Sequence, residues 1–383
     1  MVESRVSLFD KASAAMGAKR ERSAQKYAFC KYGLWFVDTF YVLFLLLAFL
    51  GLGFSKLLAQ KVSGLVPSEI LVLPGYLLLL LLVYYLFDFP LNYYRSFVVE
   101  HKFCLSQQKL GDWFLDQIKA GLLSYILGLI LVSAFYYILR HYQDIWWLVI
   151  SFFWVVFSLV LARLVPVFII PLFFKYKKLG DDNLRQRILG LADKMKIKIL
   201  DCFEIDFSKK TLKANAAFVG WGATKRVILA DTLKDKYSYD EVEVILAHEF
   251  AHYKLKHLLK LLLVNSSAIL ACFYFIFKTS DYALKLFGLS SLQDLAALPL
   301  VLIYLLLFGI VMQPFENYVS RRLERNADRM ALEVTGLKDA FISMMEKLAT
   351  QNLADRKPNL FIKSFFFDHP PMEERIAMAR NLK

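Results

Sequence analysis

Six stretches of the chain are apolar for about the length of a membrane crossing, and polar sequence separates them. They fall at 33–54, 70–91, 120–139, 145–174, 258–277 and 296–315. A helix rises about 1.5 Å per residue and the hydrocarbon core is about 30 Å thick, so roughly 20 apolar residues suffice to span it. The third and fourth runs, joined by a short link at 140–144, read as a transmembrane hairpin. Ionisable residues interrupt three of the runs: Asp38 in the first, Asp88 near the end of the second and Arg163 in the fourth. A charge facing lipid is costly, so each is expected to face the protein interior or a water-filled space. For Arg163, pairing with Asp38 or Asp88 to fix packing is weighed against a catalytic role.

The pattern divides the chain into an N-terminal segment (1–32), four spans (33–174), a soluble part (175–257), two further spans (258–315) and a soluble tail (316–383). The N-terminal segment is polar and basic and lacks the short apolar core of a secretory signal, so it is expected to stay on the mature protein. In the first soluble part, 215–219, the Gly220-Trp221-Gly222 turn region and 226–230 predict a β-hairpin by their turn and β-branched residues. Ser238 and Glu241 then form a Ser-x-x-Glu capping box, which predicts a helix start. The apolar residues Val242, Val244, Ile245, Leu246 and Ala247 carry that helix into the interior. The expected fold class is mainly α, a polytopic membrane protein with a small α+β domain containing a short β-hairpin.

Composition agrees. The 383 residues are 58% hydrophobic and 21% charged, with mean hydropathy +0.45, which excludes both an ordinary soluble domain and a disordered chain. A net charge of +13 invites a nucleic-acid reading. With six spans, however, the basic N-terminus, Arg95, Lys102, Lys109, Lys119, the Lys-rich part after Lys175, and Arg321, Arg322, Arg325 and Arg329 fall on one side. The other side holds Lys56, Lys61, Arg140, Lys278 and Lys285. Positive-inside bias then places both soluble parts in the cytosol, at a bacterial inner membrane or the endoplasmic reticulum, and accounts for the charge without nucleic acid. Cys30, Cys104, Cys202 and Cys272 have no pairwise spacing of metal or disulfide type and read as reduced thiols.

The buried helix leads into His248-Glu249-Phe250-Ala251-His252. Two imidazoles four residues apart project from one helix face and can share a zinc ion, while the adjacent Glu249 reaches a water in the open position. A hydrolytic zinc site needs a third protein ligand. Glu324 and Asp328, four apart in 320–328, are both available: one can ligate while the other accepts a hydrogen bond from a zinc histidine. On spacing alone Glu316 is a rival ligand. His257 reads as a surface residue at the start of a membrane helix.

Together with Tyr94-Arg95-Ser96-Phe97-Val98-Val99-Glu100, the 107–119 stretch, Pro171-Leu172-Phe173, Asn215-Ala216-Ala217-Phe218 and His369-Pro370-Pro371-Met372-Glu373-Glu374-Arg375, these residues resemble the type 1 CAAX prenyl protease family of integral-membrane zinc metalloproteases. The resemblance implies one Zn²⁺ per chain held by His248, His252 and Glu324, with Glu249 as general base and Asp328 as partner of a zinc histidine. It further implies that Asn215 holds substrate backbone, that His369 steadies the substrate carbonyl and that Arg375 is its hydrogen-bonding partner. An extended substrate would add to the strand edge around Asn215, Ala216 and Phe218. The substrate class implied is a peptide or protein, prenylated if the resemblance extends to specificity. The family is usually counted with seven spans around a chamber and a zincin-like catalytic domain, where this chain shows six runs. Two other readings stay open: a membrane quality-control protease of the HtpX type and, in another class, a transporter. Against the transporter, no paired half-repeats interrupted by glycine or proline occur.

Overall fold

The computed structural model describes residues 2–220 and 225–382, with side chains from residue 20 onward. Helix α1 (Val2–Gly51) is 50 residues long, about 75 Å at the helical rise. Glycines allow the turn after it: Gly53 adopts φ 75 and leads into the short α2 (Phe54–Leu65). Next come α3 (Glu69–Tyr93), continued by a π-helical turn (Tyr94–Val98), α4 (Leu110–His141) and α5 (Trp146–Leu164). Six helical segments of the described chain are long and apolar enough to cross a membrane: Arg20–Gly51, Glu69–Lys102, Leu110–His141, Trp146–Phe173, His257–Leu286 and Leu295–Thr335. This is a mainly α polytopic membrane protein.

The membrane part has its own apolar core, in which Tyr76, Phe135, Tyr136, Trp146, Ile150, Phe273 and Ile276 are buried together. The ionisable residues sort differently from expectation. Arg95 Nη1 bonds Asp38 Oδ2 at 2.6 Å, so the partner of Asp38 is the π-helical turn after α3 and not Arg163. Arg163 is exposed in the last turn of α5, where a long side chain can reach toward the interface. Asp88 is buried.

The soluble part is built on a four-stranded sheet of order β1-β2-β4-β3, with β1 Tyr176–Lys178, β2 Cys202–Ile205, β3 Ala216–Val219 and β4 Arg226–Ala230. β3 and β4 pair antiparallel, Ala217 opposite Ile228, as a hairpin. The Trp221 and Gly222 of its expected turn lie outside the described residues. β4 pairs parallel with β2, which leaves β3 with a free edge.

Helix α6 (Asp182–Lys194) is capped by Asp181, and α7 (Tyr239–Lys254) by Ser238. In the α7 capping box, Glu241 Oε2 accepts from Ser238 N at 2.7 Å and Ser238 Oγ accepts from Glu241 N at 3.3 Å. Val244, Leu246, Ala247, Phe250 and Ala251 are wholly or almost wholly buried, so α7 runs through the middle of the soluble core. α8 (His257–Leu286) follows at once. Then α9 (Leu298–Thr335) leaves the membrane part and packs along α7. Helices α10 (Lys338–Gln351), α11 (Leu360–Phe366) and α12 (Met372–Asn381) complete the chain. Membrane and soluble parts are stitched together by Tyr27, whose hydroxyl bonds Glu100 at 2.6 Å and accepts from Lys213 Nζ at 2.9 Å, and by a bridge between Ser106 and Thr211.

Candidate metal centre

α7 places His248 and His252 on one face, and α9 brings Glu324 against that face from 72 residues further along the chain. The Nε2 atoms of the two histidines are 3.1 Å apart. Glu324 Oε2 is 3.2 Å from His248 Nε2, and Glu324 Oε1 is 3.2 Å from His252 Nε2. Ligands bound tetrahedrally at 2.0–2.1 Å stand about 3.3 Å from one another. The two nitrogens lie near that separation and each meets a different oxygen of the one carboxylate, so the three side chains converge closely enough to share a zinc ion. Burial supports the same fit: Glu324 is 5% exposed, and its Oε2 faces His248 Nε2 at 3.2 Å and His369 Nε2 at 3.3 Å without a hydrogen bond of good geometry, which leaves lone pairs for a cation to occupy. His248, His252 and Glu324 are the one group of metal-ligating side chains found close enough to share an ion among the described residues. Glu316 is not in it, since eight residues of helix put it about 12 Å away from Glu324 along α9.

Asp328, one turn after Glu324, is completely buried. Its Oδ1 lies 2.8 Å from His248 Nδ1, and its Oδ2 accepts from Arg375 Nε at 2.7 Å. Arg375 is thus the partner of Asp328, and the structure shows no bond from it to His369. Burial by itself would keep the His248 ring neutral, but the Asp328 and Glu324 carboxylates outweigh it and push the ring up to about 9. A metal ion held there would require that proton to leave.

A cleft of about 520 Å³ opens beside these groups, and Asn215, Ala216, His248, Glu249, His369 and Arg375 all line it. Glu249 is half-buried. His369 Nε2 reaches within 3.3 Å of Glu324 Oε2, and its Nδ1 is 2.8 Å from Asp368 Oδ1. Phe218 is placed differently. Its ring packs edge-on against Phe250 at 5.0 Å and against Tyr253 at 5.7 Å, so only its backbone is left to the strand edge.

Three features of the site go beyond the residues that the sequence singles out. His257, expected on the surface, is 1% exposed, and its Nδ1 is 3.1 Å from His252 Nδ1. Tyr27 and Lys31 of α1 form part of the cleft wall. Finally, α9 grips the segment that carries His369. Gln313 Nε2 donates to Phe365 O at 2.9 Å, Asn317 Nδ2 to Phe365 O at 2.7 Å and Arg321 Nη1 to Lys363 O at 2.9 Å. Spacing of four residues puts these donors on one helix face, and a polar i, i+4, i+8 ladder leaving a membrane helix was the available clue.

Comparison with known proteins agrees over nearly the whole chain. Residues 10–175 match the CAAX prenyl protease N-terminal family, described as five membrane helices, and residues 178–383 match peptidase family M48. Four long apolar segments fall in the first region. The 12-residue α2 is a further helix there, about 18 Å long and too short to span. An uncharacterized metalloprotease of Bacillus subtilis is 32% identical over 93% of this chain and 84% of its own. CAAX prenyl protease 1 of Saccharomyces cerevisiae is 30% identical over 76% of this chain and 68% of its own. The crystal structure of S. mikatae Ste24p superposes with a TM-score of 0.84 at 26% identity, covering 94% of this chain and 88% of that one. The chain belongs to peptidase family M48, a family of membrane-embedded metalloproteases in this branch, and carries the CAAX prenyl protease N-terminal domain.

Proposed function

We propose that this protein is a zinc endopeptidase of the membrane, with its catalytic side in the cytosol, and that its substrates are prenylated CAAX-type peptides. The observation that carries the reading is the cluster of His248, His252 and Glu324, in which the two imidazole nitrogens lie 3.1 Å apart and each lies 3.2 Å from one oxygen of the carboxylate, opening onto a cleft that Glu249 lines.

A zinc ion held there would polarise the scissile carbonyl and acidify the attacking water. Glu249 takes the proton of that water and delivers it to the leaving amine, the task of a general base that then acts as acid. His369 donates toward the carbonyl oxygen as charge develops on it. The substrate backbone extends along the free edge of β3 from Asn215, which gives affinity with little demand on sequence. Asp328, oriented by Arg375, holds the His248 ring. Selectivity for a lipid-bearing substrate is assigned to the membrane part, and the yeast relative's name, CAAX prenyl protease 1, supports that substrate class.

The test is cleavage of a peptide panel, farnesylated and unmodified, by detergent-purified protein, beside Glu249→Gln and a chelator-treated sample. Cutting of the farnesylated peptide that disappears in both controls is the expected result. Equal cutting of unmodified peptides would replace the prenyl-protease reading by the quality-control one. Tight zinc binding with no cleavage of any peptide would remove the substrate class altogether.

A further inference from the structure

We propose that His257 is a positioning residue for the ion: its Nδ1 accepts a hydrogen bond from His252 Nδ1–H and so keeps His252 Nε2 bare and aimed at the metal. The proposal rests on the zinc reading above and adds a member to the site.

The chemistry of a histidine ligand demands such a partner. A neutral imidazole that gives one nitrogen to a metal carries its hydrogen on the other, and that hydrogen goes to an acceptor that fixes the tautomer and the ring plane. His248 has Asp328 for this purpose. On the other ligand, His252 Nδ1 faces His257 Nδ1 at 3.1 Å, with the rings nearly perpendicular at 84°. Two facing nitrogens can share one hydrogen. If it belonged to His257, the hydrogen of neutral His252 would sit on Nε2, where it would block the ion. Metal binding therefore selects the arrangement in which His252 donates, and His257 carries its own hydrogen on Nε2. That Nε2 is buried with no partner among the described residues, a cost the ring carries in either tautomer, so the contact with His252 is the one polar interaction that its position supplies.

The backbone shows how His257 arrives. α7 ends at the Leu255 cap, and Lys256 takes a left-handed conformation with φ 55 and ψ 38 before α8 begins at His257. Left-handed backbone is uncommon for a long side chain, and here it turns the chain so that a residue five positions after a ligand returns to it. The first residue of the fifth apolar span thus touches the metal shell, which couples the position of α8 to the orientation of His252. A neutral acceptor also suits the charge balance. Asp328 is already matched by Arg375, and another carboxylate beside His252 would be buried with no cation of its own.

The test compares His257→Leu, which removes the acceptor, with His257→Asn, whose side-chain oxygen can occupy the place of Nδ1. Zinc affinity is measured by competition with a chromophoric chelator, and thermal unfolding is followed in excess chelator to report the apo fold. The expected result is a loss of roughly 10–100-fold in zinc affinity for the Leu variant, a loss of only a few-fold for Asn, and closely similar apo unfolding. Wild-type zinc affinity in His257→Leu overturns the proposal, as does an equal loss in both variants. Should His257→Leu fail to fold, ¹⁵N-histidine spectra of the wild-type zinc protein decide: an Nε2–H tautomer at His257 supports the role and an Nδ1–H tautomer overturns it. A wild type that binds no zinc ends both this proposal and the metallopeptidase reading, whereas zinc binding that ignores His257 ends this one alone.

Discussion

Arg375 and Asp328 face each other in the interior, the guanidinium Nε donating to Oδ2 at 2.7 Å while the other carboxylate oxygen lies 2.8 Å from His248 Nδ1. A helix in the last dozen residues of the chain thereby reaches the His248 ring on α7, through a carboxylate on α9. Removing the cation with Arg375→Met leaves a completely buried carboxylate beside His248 with its main counter-charge gone. Breaking a buried pair in this way costs about 3–5 kcal/mol, so thermal unfolding should drop sharply. Arg375→Lys should rescue only part of the loss, because an ammonium cannot reproduce the two-pronged contact.

Asp328→Asn keeps the shape of the side chain and removes its charge. The His248 ring then loses the partner that raises its basicity, and zinc affinity should fall roughly 10–100-fold, measured by chelator competition. Unchanged affinity would show that Asp328 serves the fold and not the ion.

Glu249→Gln should separate metal binding from turnover. Glu249 lies outside the group of His248, His252 and Glu324, so the variant should hold one zinc per chain while its cleavage rate falls by about 10²–10⁴. Parallel loss of zinc would assign Glu249 to the ligand set.

The ladder from α9 predicts a fault in catalysis at a distance from the ion. Arg321 is buried and holds the segment preceding His369. Arg321→Ala frees that segment, and a displacement of about 1 Å at a catalytic group can cost on the order of 10²-fold. The expected outcome is a lower kcat with full zinc occupancy. An unchanged kcat would show that the loop is held by other contacts.

The helix that carries both histidines is also sensitive to acid at its other end. Burial would raise the Glu241 carboxyl, but Lys347, the Ser343 hydroxyl and the Ser238 amide outweigh it and hold the group below the usual carboxylate range. Because the folded value is lowered, its stabilisation is complete above the unfolded carboxylate value of about 4.3 and is lost as pH falls through the folded one. The margin in unfolding temperature of wild type over Glu241→Gln should be full at pH 6–7 and shrink below about pH 4. A margin that does not change with pH would mean that the charge contributes nothing.

How far the site was legible depended on sequence distance. His248, Glu249 and His252 lie within two helical turns, where 3.6 residues per turn determines which side chains share a face. The capping box at Ser238 is equally local. Glu324 and Asp328 could be read as a pair, but which of them ligates and which supports was open on spacing, and Glu316 was not excluded. His257 was misread for a related reason. Five residues beyond His252 is a poor phase on one continuous helix, and the left-handed Lys256 that ends α7 and redirects the chain has no reliable signature in a lysine. Arg163 and Arg95 show the same limit in the membrane part, since both are basic and near apolar runs, yet Asp38 is bonded by Arg95.

The sequence by itself determined the six apolar spans, the hairpin and the two-histidine helix, because each follows from periodicity or residue type over neighbouring positions. Tertiary structure decided what spacing left open: Glu324 lies beside the two histidines while Glu316 does not, Arg375 serves Asp328, Phe218 packs behind the strand and His257 turns back to His252. Those outcomes depend on how α7, α8, α9 and α12 lie against one another, and the energy of a buried carboxylate or imidazole depends on the partner that packing delivers within about 3 Å.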